Sequence, residues 1–470
     1  MRNLEWRLNV EMISKACGGM FWNLTGDEIV KDIATDSRNI SKGAIFFALK
    51  GDNFDGHNFV ETAIEAGALC AVVQGDVKRF SNLPIIAVDD CLSALGAAAK
   101  LYREQFNSPV IAITGSVGKT STKDMIASVF SSTYNTLKTQ GNFNNEIGLP
   151  LTVFQITSDH QIIILEMGMS ALGEIHRLSN IAKPDMAVIT NIGVSHIEKL
   201  GSQKNILKAK LEIQSGLSAD GAIVLNGDDN MLYDLNGRLS YETLYYGIQN
   251  KNCDIVAANI KKSGSGSEFT VSYGGEEYKI RINSAGEHHI YNALAAILVG
   301  IRYNIPIAKI IQGISEFSPA GMRQKIVKSD NYTLIEDCYN ASPTSMKSGL
   351  EVLFRIYSDH DDKWSECRTV AVLGDMLELG KFSQNEHKAV GALVYDFGIN
   401  VLITVGNEAE YIAAGAIAAG FDPDMVYSFK NNKELTGNIM SILQKGDYVL
   451  FKGSRGMKLE EVSKFVAENN

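Results

Sequence analysis

The sequence predicts an α/β protein of three domains: a small N-terminal α/β domain over residues 1–106, a central domain on a mostly parallel sheet over 107–316, and a C-terminal Rossmann-like domain over 317–470. Three observations predict it. A chain of 470 residues holds about three domains at ~150 residues each. From Pro109 onward, apolar runs end in polar clusters and lead into helical patterns, as in a parallel sheet covered on both faces. One of these runs enters a glycine turn followed by Lys119 and Thr120, a strand-to-helix junction suited to phosphate.

Composition bounds the function. Hydrophobic residues at 45%, charged residues at 21%, 8 prolines and a mean hydropathy of −0.03 describe a globular chain and exclude disordered, collagenous and membrane-embedded classes. Lys and Arg total 44 against 54 Asp and Glu, a net charge of −10. That balance argues against nucleic acid as a partner and confines an anionic ligand to a local basic pocket. The six cysteines, Cys17, Cys70, Cys91, Cys253, Cys338 and Cys367, form no Cys-x-x-Cys pair and read as reduced thiols. Charges interrupt the start of the chain where a secretion signal needs an apolar core, and no run of about 18 apolar residues occurs. The expectation is a cytoplasmic protein without membrane insertion.

In the first domain, runs at 44–49, 70–73 and 85–88 read as short strands, with a helix at 59–68. Buried strands follow at 110–114, 162–165, 187–190 and 222–225. A Gly/Ser-rich stretch at 262–266 and the Gly274-Gly275 turn predict a hairpin, and 291–303 predicts a helix closing the second domain. Phe317-Ser318-Pro319-Ala320-Gly321 predicts a hinge. Beyond it, strands at 333–335, 370–373, 401–405 and 448–451 alternate with helices. Residues 358–368 are polar and read as a loop.

The sharpest chemical signal is the turn Gly115-Ser116-Val117-Gly118-Lys119-Thr120, with a helix starting near Ser121. Gly115 and Gly118 let backbone N–H groups turn inward, the helix start adds positive potential, Lys119 supplies a point charge, and the Thr120 hydroxyl suits Mg²⁺. A standard P-loop has a glycine five places before Gly118, where this chain has Ile113. The plainer alternative is a strand-to-helix turn with a surface lysine.

Glu166 and His196 follow strands of the same pattern, where a parallel sheet presents side chains to its ligand crevice. Lys210 lies among lysines of a helical pattern that reads as a solvated face. Near the N-terminus, Thr35-Asp36-Ser37-Arg38 and Lys50-Gly51-Asp52-Asn53-Phe54-Asp55-Gly56-His57 suit a diphosphate or sugar, and equally read as ordinary loops. The amide-rich segment containing Gln140, Asn142 and Asn145 suits a polar substrate. His160, His176, His360 and His387 have no zinc spacing, and no Gly-x-Ser-x-Gly elbow is evident.

The order of these motifs resembles the Mur ligase family, the ATP-dependent amide-forming enzymes of peptidoglycan precursor synthesis, over nearly the whole chain. The resemblance is carried by the Thr-Gly-Ser-x-Gly-Lys-Thr loop, Glu166, the run Asn191 to His196, Lys208-Ala209-Lys210, and Gly286-Glu287-His288 through Asn292. In the third domain, Glu336-Asp337-Cys338-Tyr339-Asn340-Ala341-Ser342-Pro343, Leu373-Gly374-Asp375-Met376-Leu377-Glu378-Leu379-Gly380 and Lys452-Gly453-Ser454-Arg455-Gly456-Met457 resemble the branch that adds D-alanyl-D-alanine to UDP-N-acetylmuramoyl-tripeptide.

The resemblance implies a UDP-binding first domain, a P-loop ATPase-like second domain, and a third domain for the dipeptide and nucleotide closure. It implies ATP, Mg²⁺ and small-molecule substrates as partners, and a bacterial monomer. Gly115, Ser116, Val117, Gly118, Lys119 and Thr120 would hold the phosphates, with Asn292 on adenine, Asp337 on ribose and Arg323 on the phosphates. Ser37, Arg38, Asp55, Gly56, His57, Gln140, Asn142 and Asn145 would bind the UDP substrate, and Tyr339, Asn340, Lys452, Ser454 and Arg455 the dipeptide. Lys119, Glu166, His196 and Lys210 would be catalytic. Thr120, Glu166, His196 and Lys210, the last carrying a CO₂-derived carbamate, would be metal ligands. His289, Cys338 and Ser342 depart from the family pattern at the adenine and dipeptide ends. Another amino-acid-adding ligase of the family, a P-loop small-molecule kinase and a non-catalytic nucleotide sensor are the alternatives.

Overall fold

The computed structural model describes residues 4–5, 8–51, 54–264, 266–319, 321–359 and 367–469. Asp52, Asn53, Ser265, Ala320 and, within the polar stretch at 358–368, residues 360–366 with His360 lie outside the described residues. The chain forms two compact bodies. One comprises Met1–Thr114, Tyr134–Val188 and Ala209–Ala222; the other comprises Gly115–Thr133, Ile189–Lys208 and Ile223–Asn470.

The first body begins with a five-stranded sheet in the order Met20–Trp22, Ile85–Ala87, Cys70–Val73, Ala44–Phe47, Asp32–Ala34, parallel except for the antiparallel first pair. Ala44–Phe47 and Cys70–Val73 are buried along their whole length, which explains why they read as unbroken apolar runs. The helix Cys91–Arg103 starts where the Asp90 carboxylate accepts the Ser93 N–H at 2.7 Å. At its last residue, buried Arg103 donates to the carbonyls of Ala182, Phe106 and Ser108, which ties the helix end to the segment leading into Val110.

Also in the first body, Val110–Thr114 pairs in parallel with Ile162–Glu166, and Thr136–Lys138 pairs with the other edge of that strand. Every residue of Val110–Thr114 and Ile162–Glu166 is buried. Glu166 ends its strand opposite Ile113.

In the second body, the helix Lys119–Ser131 starts directly from the glycine turn, two residues earlier than the sequence predicts. The helices His288–Arg302 and Ile307–Glu316 pack on it, and the Ser128 hydroxyl donates to the Gly313 carbonyl at 2.7 Å. The expected hairpin is part of a three-stranded antiparallel sheet, Ala258–Ser263, Gly266–Tyr273 and Glu276–Ile282, because residues 258–263 pair with the middle strand across the Gly/Ser-rich stretch and add a third strand. A six-stranded sheet follows in the order Lys325–Lys328, Thr333–Asp337, Tyr448–Lys452, Thr369–Gly374, Val401–Val405, Val426–Phe429. All pairs are parallel except the Lys325–Lys328 edge, the open doubly wound arrangement expected. Val370, Val372, Val449 and Phe451 on one face meet Leu435, Leu459 and Val462 from helices.

The solvated-face reading of the lysines at 208 and 210 holds for Lys208 and fails for Lys210. In the helix Gln203–Leu211, Lys210 lies one turn after Ile206, and both are buried, Lys210 to 2% exposure. Among the described residues no helix is long and apolar enough to cross a membrane.

Candidate active site

The turn at residues 115–118 owes its shape to glycine chemistry and to a neighbouring loop. Gly115 has φ +154° and Gly118 φ +82°, and a Cβ at Gly115 would collide with the Thr190 side chain. Asn191 grips the loop with both ends of its amide: Oδ1 accepts the Val117 N–H at 3.0 Å, and Nδ2 donates to the Val117 carbonyl at 3.1 Å. The Thr190 hydroxyl donates to the same carbonyl, the Ser116 N–H donates to the Asn191 carbonyl, and the Gly193 N–H donates to the Ser116 hydroxyl. Lys119 curls over the turn and donates from Nζ to the Gly115 carbonyl at 2.8 Å. One ammonium is thus held at the start of a helix whose first N–H groups point the same way.

Arg323 reaches this helix from the third sequence segment. Its Nη2 donates to the Thr120 hydroxyl at 2.9 Å, and its guanidinium lies 4.0 Å over the Tyr339 ring. Asn292, 4% exposed, accepts the Thr122 hydroxyl proton at Oδ1. Beside it, His289 is 1% exposed, 4.1 Å centroid to centroid from His288 and 5.5 Å from Phe317. Burial pushes the pKa of both histidines below the ordinary imidazole value, that of His289 well below it.

Asp337 ends the strand Thr333–Asp337 and meets Lys452, which ends the neighbouring strand, at 2.6 Å. Lys452 also donates to the Asn340 carbonyl at 3.3 Å, so its ammonium holds the segment that carries Tyr339 and Asn340. Ser454 accepts the Leu377 N–H at 2.9 Å, and Arg455 is exposed and paired with Glu460. Cys338 is buried, which pushes its thiol up to about 12. Ser342 caps the helix Pro343–Ser358 in a reciprocal capping box with Ser345.

His196 opens the short helix Ile197–Leu200 with φ +63°, and its Nδ1 meets the Glu378 carboxylate at 2.5 Å. That imidazole holds the Glu378 carboxyl below the usual carboxylate range.

In the first body, Glu166 is 2% exposed; its Oε1 accepts from Asn144 Nδ2 at 2.7 Å and its N–H donates to the Thr139 hydroxyl. Asn144 lies in the amide-rich segment, yet nothing in the sequence distinguishes it from its neighbours. Within that segment Asn145 accepts the Gly148 N–H ahead of the helix Gly148–Val153, while Gln140 and Asn142 are exposed. Toward the N-terminus, Arg38 forks onto Asp36 and holds its carboxyl down at about 2, next to Ser37. His57 is 8% exposed: its Nδ1 meets Asp55 at 2.7 Å and its Nε2 accepts the Gln74 N–H, so both ring nitrogens are engaged and it braces the turn at Gly56. The Arg323, Asn191 and Asp337 to Lys452 contacts bring together parts of the chain more than a hundred, about seventy and more than a hundred residues apart.

Comparison with known proteins completes this picture. The Mur ligase middle domain matches residues 113–300, the Mur ligase glutamate ligase domain matches 322–455, and the Mur ligase family catalytic domain matches 30–103. The UDP-N-acetylmuramoyl-tripeptide--D-alanyl-D-alanine ligase of Bacillus subtilis is 41% identical, with 94% of each chain covered. The Escherichia coli ligase of the same name is 32% identical over 95% of this chain and 96% of its own. A crystal structure of MurF from Acinetobacter baumannii superposes with a TM-score of 0.87 at 28% identity, covering 98% and 99% of the two chains. MurF ligase from Thermotoga maritima in complex with ADP gives 0.79 at 25% identity, covering 93% and 97%.

Proposed function

The chain belongs to the Mur ligase family, with its three-domain α/β architecture, and from that premise we propose that it joins D-alanyl-D-alanine to UDP-N-acetylmuramoyl-tripeptide. ATP drives the reaction, and the products are UDP-N-acetylmuramoyl-pentapeptide, ADP and phosphate. The enzyme acts as a monomer in the bacterial cytoplasm, with the domains bounded near residues 106 and 316. The observation that carries the reading is Arg323, one cation that donates to the hydroxyl of the phosphate-loop helix and faces Tyr339 in the segment assigned to the dipeptide.

A free carboxylate does not form an amide because its leaving group would be oxide. The tripeptide carboxylate therefore attacks the γ-phosphorus in line and expels ADP, giving an acyl phosphate. The dipeptide amine then attacks the acyl carbon, loses a proton, and the tetrahedral intermediate expels phosphate. Such transfers depend on positioning and charge neutralisation. Lys119 and the inward N–H groups of residues 115–118 neutralise and orient the phosphates, Arg323 adds charge, Asn292 faces the adenine, and Asp337 the ribose.

The donor chemistry fits Mg²⁺. A hydroxyl and a carboxylate are hard oxygen ligands, and Mg²⁺ takes few protein ligands because phosphates and water fill most of its shell. We assign Mg²⁺-ligand roles individually to Thr120, His196, Glu166 and Lys210, the last as its carbamate; when bound, the ion screens the phosphate charge. The burial of Lys210 supports the carbamate, because a helix-face lysine with no task would extend into water.

The UDP substrate is assigned to Ser37, Arg38, Asp55, Gly56, His57, Gln140, Asn142 and Asn145, and the dipeptide to Tyr339, Asn340, Lys452, Ser454 and Arg455. Offering D-alanyl-D-alanine, diaminopimelate, lysine and glutamate in turn tests the reading. Ligated product with the dipeptide alone supports it, and product with a single amino acid overturns it.

A further inference from the structure

The strand Thr369–Gly374 delivers the run Asp375-Met376-Leu377-Glu378 to the end of its sheet, and the backbone of this run is pinned residue by residue. The Asp375 side chain accepts the Ala409 N–H at 2.7 Å, and its carbonyl accepts the Ser454 N–H at 3.0 Å. The Met376 N–H donates to Nε2 of fully buried His387, whose Nδ1 is fixed on the Ser383 carbonyl at 2.8 Å. The Leu377 N–H donates to the Ser454 hydroxyl. Three anchored residues therefore precede Glu378.

Glu378 then turns with φ +64°, a left-handed conformation uncommon for a side chain of its kind, and its partner His196 has φ +63°. Two contacts join them. The carboxylate meets His196 Nδ1 at 2.5 Å, and the Glu378 carbonyl accepts the N–H of Glu198 at 3.2 Å, in the first turn of the helix that His196 opens. A carboxylate charge this close to one ring nitrogen favours the proton on that nitrogen and leaves the opposite nitrogen to act.

We propose that Glu378 is a positioning residue of the ligase: through Nδ1 it fixes the ring orientation and tautomer of His196, and its pinned loop couples that histidine to Ser454. The inference rests on the ligase reading, which places His196 beside the transferring phosphate and Ser454 beside the dipeptide.

The test combines kinetics with imidazole NMR of isotope-labelled histidine, the His196 signal being assigned by its loss in His196→Gln. In the wild type, His196 carries its proton on Nδ1 alone. In Glu378→Ala both tautomers appear and kcat falls about 10–100-fold, the range usual for carboxylates behind functional histidines, with the KM for D-alanyl-D-alanine little changed. Glu378→Gln, which keeps the shape of the side chain and removes its charge, shows both tautomers and a kcat close to that of Glu378→Ala. Wild-type kcat in Glu378→Ala, or a single Nδ1–H tautomer in that variant, overturns the proposal. A wild type that makes no pentapeptide defeats the ligase reading instead, and the tautomer comparison still decides the role of Glu378.

Discussion

Lys452 and Asp337 form a buried ion pair, Nζ to Oδ2 at 2.6 Å, with side chains 2% and 12% exposed, across two adjacent parallel strands. Two charges at the ends of these strands set the position of the segment carrying Tyr339 and Asn340. Removing one partner strands the other in a poorly hydrated place. Lys452→Ala therefore costs about 3–5 kcal/mol of stability, read as a lowered urea midpoint. The double change Lys452→Met with Asp337→Leu recovers much of that loss, because no buried charge remains unpaired; a double variant as unstable as the sum of the singles contradicts this.

The two loop glycines differ in what a side chain would meet. At Gly115 a Cβ collides with Thr190, whereas at Gly118 the nearest atom, Asn292 Oδ1, is 3.5 Å away and only the φ of +82° is strained. Gly118→Ala costs about 1–2 kcal/mol, while Gly115→Ala displaces the loop and loses much more affinity for a non-hydrolysable ATP analogue. Calorimetric titration checks the order, and a larger loss in Gly118→Ala contradicts it.

The carbamate proposed on Lys210 makes a chemical-rescue prediction. Lys210→Ala removes the carboxylate equivalent, and activity falls by about 10²–10³-fold, the scale of losing one preorganised charge-stabilising group. Short carboxylic acids restore part of it. Near-normal activity without added acid excludes the carbamate.

His289 and His288 have pKa values below the ordinary 6.5 because burial disfavours their charged forms. The folded state thus binds fewer protons than the unfolded state once pH drops below about 6.5. Their stabilising contribution is complete above that pH and is lost as the pH falls. The urea midpoint should decline from about pH 7 to about pH 5.5, and His289→Asn should flatten the decline. An unchanged slope in that variant contradicts the assignment.

The strand-turn-helix junction at 110–131 is legible in the sequence because strand, glycines and lysine lie within one short run, and a parallel strand that is buried on both faces betrays itself by its continuous apolar residues. Glu166 is legible for the same reason, as the last residue of such a strand. Lys210 is not legible as a buried residue, since a lysine two positions from Lys208 looks solvated until the turn relation to Ile206 is seen. Asn144, Ser454 as a tether and Glu378 are hidden more deeply. Their partners, Glu166, Leu377 and His196, lie 22, 77 and well over a hundred residues away in sequence, and no local pattern marks a hydrogen bond across such a span. The third strand of the antiparallel sheet escapes the sequence reading because none of residues 258–263 is buried, with no apolar alternation to announce them.

Ligation of a dipeptide to a nucleotide-linked tripeptide has a direct readout in phosphate release from ATP, measured with UDP-N-acetylmuramoyl-tripeptide and D-alanyl-D-alanine singly and together, with mass spectrometry of the product. Sustained release is expected only when both are present, with UDP-N-acetylmuramoyl-pentapeptide as the product; sustained release with neither, or a product formed from another amine, contradicts the ligase assignment.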